Sequence, residues 1–234
     1  MLDAVSTAGP RPRRASHGLT MVELLIGMAV GLFIAAAGAS LMSGNLRENR
    51  TLMVETRLMQ DLRTAADLVT RDLRRAGYWA AATSAVLPTD AAATRGNPYA
   101  LVAPATSAAD NVSFRYSRDV TENNLVDSNE QFGFRLRNGT LEMQLGAGNW
   151  QAMTDPNTIR VTDFRVTPHI EEIDLAGYCS KPCPVASADC PPRLQVRSLA
   201  LLLSGQAVTD ARITRSIRSQ VRLRNDPIVG GCPA

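Results

Sequence analysis

Four groups of residues in this sequence have types and spacings that could do chemistry. Cys179, Cys183, Cys190 and Cys232 are the only cysteines, in the pattern C-x3-C-x6-C with a fourth near the C-terminal end. Four thiols can form two disulfides or hold a zinc ion, but the paired C-x2-C of a zinc site is missing, so disulfides are the expectation and three pairings stay open. His169 precedes Glu171, Glu172 and Asp174. A histidine beside carboxylates could be a general base, and the acids could bind calcium weakly. No G-x-S-x-G, G-x-x-x-x-G-K-[ST], H-E-x-x-H or Asp-rich calcium loop accompanies them, so a solvated loop histidine and a solvated acidic turn are expected. Arg212, Arg215, Arg218, Arg222 and Arg224 are the one basic concentration in the second half. They lack an aromatic stacking platform, which favours a charged sheet face over a nucleic-acid groove. The fourth group is the junction Gly18-Leu19, followed at Glu23 by a lone carboxylate and then by a long apolar run.

That junction depends on the segment around it, RPRRASHGLTMVELLIGMAVGLFIAAAGASLMSGNLR, residues 11 to 47. Residues 24 to 46 carry no charge. As a helix they would be about 34 Å long at 1.5 Å per residue, enough to cross a hydrocarbon layer of roughly 30 Å. The arginines before the run orient its N-terminal end to the cytoplasm and the chain beyond Arg47 outside. A secretory signal would carry its small-residue cleavage site after the apolar run, whereas here the distinctive junction precedes it. Arg11, Arg13, Arg14 and Asp3 lie in the first 18 residues, so removal of that segment would lower the formal charge from +3 to +1. Near-neutral charge of this kind argues against a polyanion-binding protein. Gly27 and Gly31 form a G-x-x-x-G that could let helices approach closely.

The junction resembles the class III leader of type IV prepilins: a basic leader ending in Gly18, a hydrophobic first mature residue, Leu19, and a glutamate at the fifth mature position, Glu23. Leu19 stands where Phe is commoner, and Met21 where Leu is. The resemblance implies that a prepilin peptidase cuts after Gly18 and methylates the amine of Leu19, so the chain is a substrate and not an enzyme. It implies that Glu23 pairs with the N-terminal amine of a neighbouring subunit during assembly. An unpaired carboxylate carried toward the bilayer centre costs about 2.5 to 3.5 kcal/mol, which gives such a pair its physical reason.

Beyond the span the pattern turns amphipathic. Met59, Leu62, Ala66, Val69, Leu73 and Ala76 step by three and four, one apolar stripe on a helix expected to run from Leu19 to Ala76 and to stop at Gly77. Residues 67 to 80, DLVTRDLRRAGYWA, resemble the helix end of PilW-type minor pilins. The remainder reads as strands. Residues 131 to 145 alternate around Asn138-Gly139, which predicts a type I′ hairpin pairing Leu136 with Leu141, Arg135 with Glu142 and Phe134 with Met143. Further strands are expected at Val112 to Arg118, Ile159 to Val166, Leu194 to Ser204 and Ile213 to Leu223, with a long loop from Ala81 to Asp110. The fold class is therefore α+β, a long N-terminal helix packed on an antiparallel sheet. The expected organisation is a leader at 1–18, a transmembrane half-helix at 19–46, an amphipathic half-helix at 47–77 and a periplasmic β-rich head at 78–234.

The closing residues 221 to 225, VRLRN, are also similar to the last strand of PilW and of the J-type pseudopilins of type II secretion. A PilW-like identity implies a minor pilin that helps to start a type IV pilus and sits at its tip, anchored first in the bacterial inner membrane with the head periplasmic. Its implied partners are other minor pilins, the major pilin, a tip adhesin, the inner-membrane assembly platform and the prepilin peptidase, with no cofactor and no nucleic acid. A J-type pseudopilin and a DNA-binding uptake pilin are the alternatives.

Overall fold

The structure, a computed structural model, describes residues 18, 20–83, 96–184 and 189–233. Helix α1 runs Met21–Leu73, and the chain divides into two compact units at Thr51/Leu52, within that helix. In the first unit the apolar run is helical throughout and none of it is buried, Phe33 being 77% exposed. An apolar helix in that state needs a cover from outside the chain, and its length and composition suffice to cross a membrane. Its few hydroxyls are turned back onto the helix: Ser40 Oγ donates to the Ala37 carbonyl at 2.8 Å and Ser43 Oγ to that of Ser40 at 2.9 Å. Those bonds satisfy polar groups that would be costly in hydrocarbon. A Cβ built on Gly27 or Gly31 would meet nothing within 4 Å among the described residues outside the adjoining helix backbone.

In the second unit α1 buries Leu58, Leu62, Ala65, Ala66, Val69, Thr70 and Leu73. The apolar stripe is thus present but rotated at its start: Leu58, not Met59, is the buried residue, and Met59 is half-exposed. Regular α-helix also ends at Leu73 rather than Ala76. The next turn tightens, with the amides of Arg75 and Ala76 donating three residues back to Asp72 and Leu73. Gly77 then takes φ +76°, and its N–H donates to the Arg115 carbonyl at 2.8 Å, so the helix stop is tied to a strand end.

Two antiparallel sheets complete the unit. The first has five strands in chain order: β1 (Val102–Ala103), β2 (Asn111–Arg115), β3 (Gln131–Arg137), β4 (Thr140–Leu145) and β5 (Trp150–Ala152). The second is β6 (Ile159–Asp174), β7 (Arg193–Ala207) and β8 (Thr214–Arg222) in that order, with β9 (Ile228–Val229) paired to β7. The α+β class is as expected, but the single expected sheet is two. One core joins Leu62, Val69 and Leu73 of the helix to Phe114, Phe132, Phe134 and Leu141 of the first sheet and to Phe164, Leu201 and Leu203 of the second. Stacked rings reinforce it, Tyr116 and Phe132 lying 4.0 Å apart between centroids.

The hairpin β3–β4 has the expected register, Leu136 opposite Leu141, Arg135 opposite Glu142 and Phe134 opposite Met143. Asn138 and Gly139 hold φ +52° and +77°, as a type I′ turn requires. Arg135 Nε lies 2.6 Å from Glu142 Oε2, and its guanidinium covers the Trp150 ring at 3.9 Å. Strand β2 is shorter than expected, whereas β6 runs well past Val166. The sequence predicts an end there because Pro168 cannot donate to a ladder; β6 is the edge strand of its sheet, paired with β7 along its length and otherwise bridged by Ala109 at Val166, and a proline is tolerated at an edge. The loop expected at Ala81 to Asp110 is partly structured. Residues 84–95 fall outside the described residues, while beyond them Tyr99 is fully buried, β1 pairs with β2, and Ala109 bridges to Val166.

Candidate functional site

The start of α1 explains itself locally. Thr20 is its N-cap: the Thr20 N–H and Oγ1 each donate to Glu23 Oε2 at 3.0 Å, and the Glu23 N–H donates back to Thr20 Oγ1 at 3.3 Å. This is a capping box, T-x-x-E, in which two helix-end donors are satisfied reciprocally. The signature is visible in the sequence as Thr20-Met21-Val22-Glu23, yet sequence reasoning gave Glu23 only an intermolecular partner and missed the intramolecular one. Gly18 is exposed, and a methyl group built on it would meet nothing within 4 Å. Among the described residues nothing packs against Gly18 that would require a glycine there. Leu19, the expected first mature residue, and the leader arginines lie outside the described residues.

The cysteines form two disulfides, Cys179 to Cys232 and Cys183 to Cys190, with Cα separations of 5.3 and 5.5 Å. The zinc alternative is thereby removed for all four. The first bond ties the C-terminal tail to the end of β6, across a 3-10 turn at Ala176–Tyr178, and the second closes a proline-rich loop before β7.

The other groups disperse. His169 is not in a loop but mid-way along β6, exposed and opposite Ser198. Nor do the nearby acids form a turn. They continue the strand, where Glu172 lies 3.6 Å from Arg193 and accepts from Gln195 Nε2 at 2.8 Å, and Asp174 accepts the Ala176 N–H at 2.6 Å. The arginines do not make one charged face either. Arg215 points to the opposite side of β8 from Arg218 and Arg222 and pairs with Glu55 on the helix, while Arg212 pairs with Asp210 and Arg222 with Asp226. The Arg212 guanidinium and backbone hold the Asp210 carboxyl down at about 2. Hollows of about 280 and 310 Å³ flank Ile159, and no serine, cysteine or histidine is among the described residues that line them.

The comparisons fall on the same two units. Residues 13–39 match the prokaryotic N-terminal methylation motif, a span that includes Gly18, Leu19 and Glu23. Residues 51–223, well over half the chain, match the family described as prepilin peptidase-dependent protein B. No curated protein matches, and no solved structure does. Pilin-like families of this type are structural. The second match begins at the boundary between the units and takes in both sheets of the head apart from β9, so the chain belongs to the prepilin peptidase-dependent protein B family and carries a prepilin-type N-terminus.

Proposed function

We propose that the chain is a PilW-like minor pilin, a non-enzymatic subunit that helps to start a type IV pilus and ends at its tip. In this reading residues 1–18 are removed as a leader, 19–46 anchor the subunit in the inner membrane, 47–77 form the spine of the head, and 78–234 face the periplasm. The observation that carries it is the combination, in one chain, of the methylation motif with an apolar helix that the described residues leave unburied and a disulfide-closed head. Such a helix can leave the bilayer only into a bundle of like helices, since both covers supply apolar surface of the same kind. The proposed partners are accordingly other minor pilins, the major pilin, a tip adhesin and the assembly platform, with the prepilin peptidase acting on the chain first.

Glu23 has two roles to separate. Within the chain it closes the capping box; between chains its carboxylate pairs with a neighbour's methylated N-terminal amine and sets the axial register. Glu23→Gln preserves the capping box, because an amide oxygen accepts the same Thr20 bonds, but it removes the charge. Glu23→Ala removes both. Cleavage should survive in each variant, piliation should fall in Glu23→Gln, and it should fall further in Glu23→Ala. Wild-type pilus numbers and normal co-purification with partner subunits in both variants would overturn the proposed role.

A further inference from the structure

We propose that β8 accepts an added strand from a partner protein, an extended acidic segment that continues the second sheet. The proposal concerns the head alone and does not rest on where the subunit assembles. β8 bonds to β7 on one side only. The phase of that ladder is fixed at its ends: the Leu223 N–H donates to the Arg197 carbonyl at 2.9 Å, and the Ala207 N–H to the Ile213 carbonyl at 3.0 Å. Bonded pairs recur at every second residue of an antiparallel ladder, so the backbones of Arg215, Ile217, Ser219 and Val221 bond to β7. Ser216, Arg218, Gln220 and Arg222 therefore turn their N–H and C=O groups to the open side, where none has a partner among the described residues.

The other sheet edges are closed to pairing in ways that β8 is not. β1, β5 and β9 have only two or three residues each. β6 carries a register shift between Val161 and Asp163, the Ala109 bridge at Val166, and Pro168 with no N–H to give. Among the described residues β8 runs for nine residues with no proline, bulge or bridge. An edge of that length is a template for another strand unless its side chains forbid it.

Those side chains forbid some partners and suit others. The exposed face of β8 carries Arg218 and Arg222, and Arg218 forms no ion pair among the described residues. On β7, Leu202 lies opposite both Arg218 and Arg165, a second exposed arginine without an ion pair there. Pairing β8 with β8 of a second copy would set two arginine faces side by side, and like charges on neighbouring strands are destabilising. A strand with carboxylates at those positions gains opposite-charge pairs instead. The inner face sets the alternate residues. Ile217 is half-buried against the core and Val221 is buried, so apolar side chains of an added strand would extend that core. The occupant is thus a strand alternating acidic and apolar residues, held by main-chain bonds and selected by charge. An oligonucleotide would meet the arginines but leave the backbone row unpaired.

The test uses the full-length chain in detergent with three synthetic peptides of about eight residues: glutamate alternating with valine, lysine alternating with valine, and the glutamate peptide with its amides N-methylated. Titration should give one glutamate peptide per chain, and hydrogen exchange should slow at the Arg218 and Gln220 amides as it binds. The lysine and N-methylated peptides should not bind. Arg218→Glu should weaken binding about threefold or more, since it replaces attraction by repulsion. Ser216→Pro removes an outward donor without touching the ladder to β7 and should weaken binding at least as much. Arg218→Glu alters an exposed side chain and guards against a folding failure of Ser216→Pro. Absence of saturable binding, equal binding of the lysine peptide, or binding undiminished in Arg218→Glu would overturn the proposal. So would exchange at those amides that slows with chain concentration alone, or as much with single-stranded DNA as with the glutamate peptide.

Discussion

Leu58 and Met59 are neighbours on α1, about 100° apart around the helix, and they report which face of the spine is docked. The alternating three-and-four pattern selects Met59, but in the structure Leu58 is 3% exposed in the shared core and Met59 is only half-buried. Truncating a buried leucine loses its transfer free energy and leaves a cavity, about 2 to 4 kcal/mol for a site walled by a helix and two sheets. A half-buried methionine at the rim should cost about 1 kcal/mol, since solvent refills the space. For a unit of this size about 2 to 4 °C in Tm follow each kcal/mol, so Leu58→Ala should lower the midpoint by roughly 5 to 15 °C and Met59→Ala by a few degrees. Trp79, buried at 4% exposure, supplies the fluorescence probe for denaturant and thermal unfolding of the detergent-solubilised full chain with its disulfides intact. Equal costs, or a larger cost at Met59, would mean that the helix is turned by one position and that the docked face described here is wrong.

Two further outcomes follow from the head. The disulfides enclose 53 and 7 residues of sequence separation. In the chain-entropy account their removal should cost about 4 kcal/mol for Cys179→Ser with Cys232→Ser and about 2 kcal/mol for Cys183→Ser with Cys190→Ser; denaturant midpoints of the two variants in the reverse order would contradict it. Asp210, held at about 2 chiefly by its side-chain bond to Arg212, has a folded pKa below its ordinary value of 3.8. Its contribution to stability is therefore present above pH 4 and lost as pH falls through about 2, and a carboxyl resonance titrating near 4 in the folded chain, or no change of that midpoint in Arg212→Ala, would refute the pairing.

What the sequence made legible was local. Asn138-Gly139 is readable because few residue pairs accept positive φ twice, and once the turn is set the alternation leaves β3 and β4 one register. The apolar run before Arg47 is readable because length and absence of charge suffice. Features decided by distant partners were not legible. The extension of β6 beyond Pro168 depends on its place at a sheet edge, which no residue in it announces. Strands β1 and β5 have two and three residues, too few for a periodicity. The division into two sheets, with β6 paired to β7 and not to β5, and the pairing of Cys179 with Cys232 join partners that no local pattern marks. At the candidate site the intermolecular reading of Glu23 came from resemblance, while its capping box was written in Thr20 three residues earlier and depended on chemistry alone.

The central claim is that this chain is handled as a prepilin, and the mature N-terminus tests it most directly. Intact-mass and N-terminal peptide mass spectrometry of the membrane-extracted chain, from cells with and without prepilin peptidase, reads the cut and the methyl group together. The account predicts a chain beginning at N-methylated Leu19 when the peptidase is present, and an uncut, unmethylated precursor when the peptidase is absent or in Gly18→Val. A mature chain that begins at any other residue, or one that begins at Leu19 without the peptidase, would contradict it.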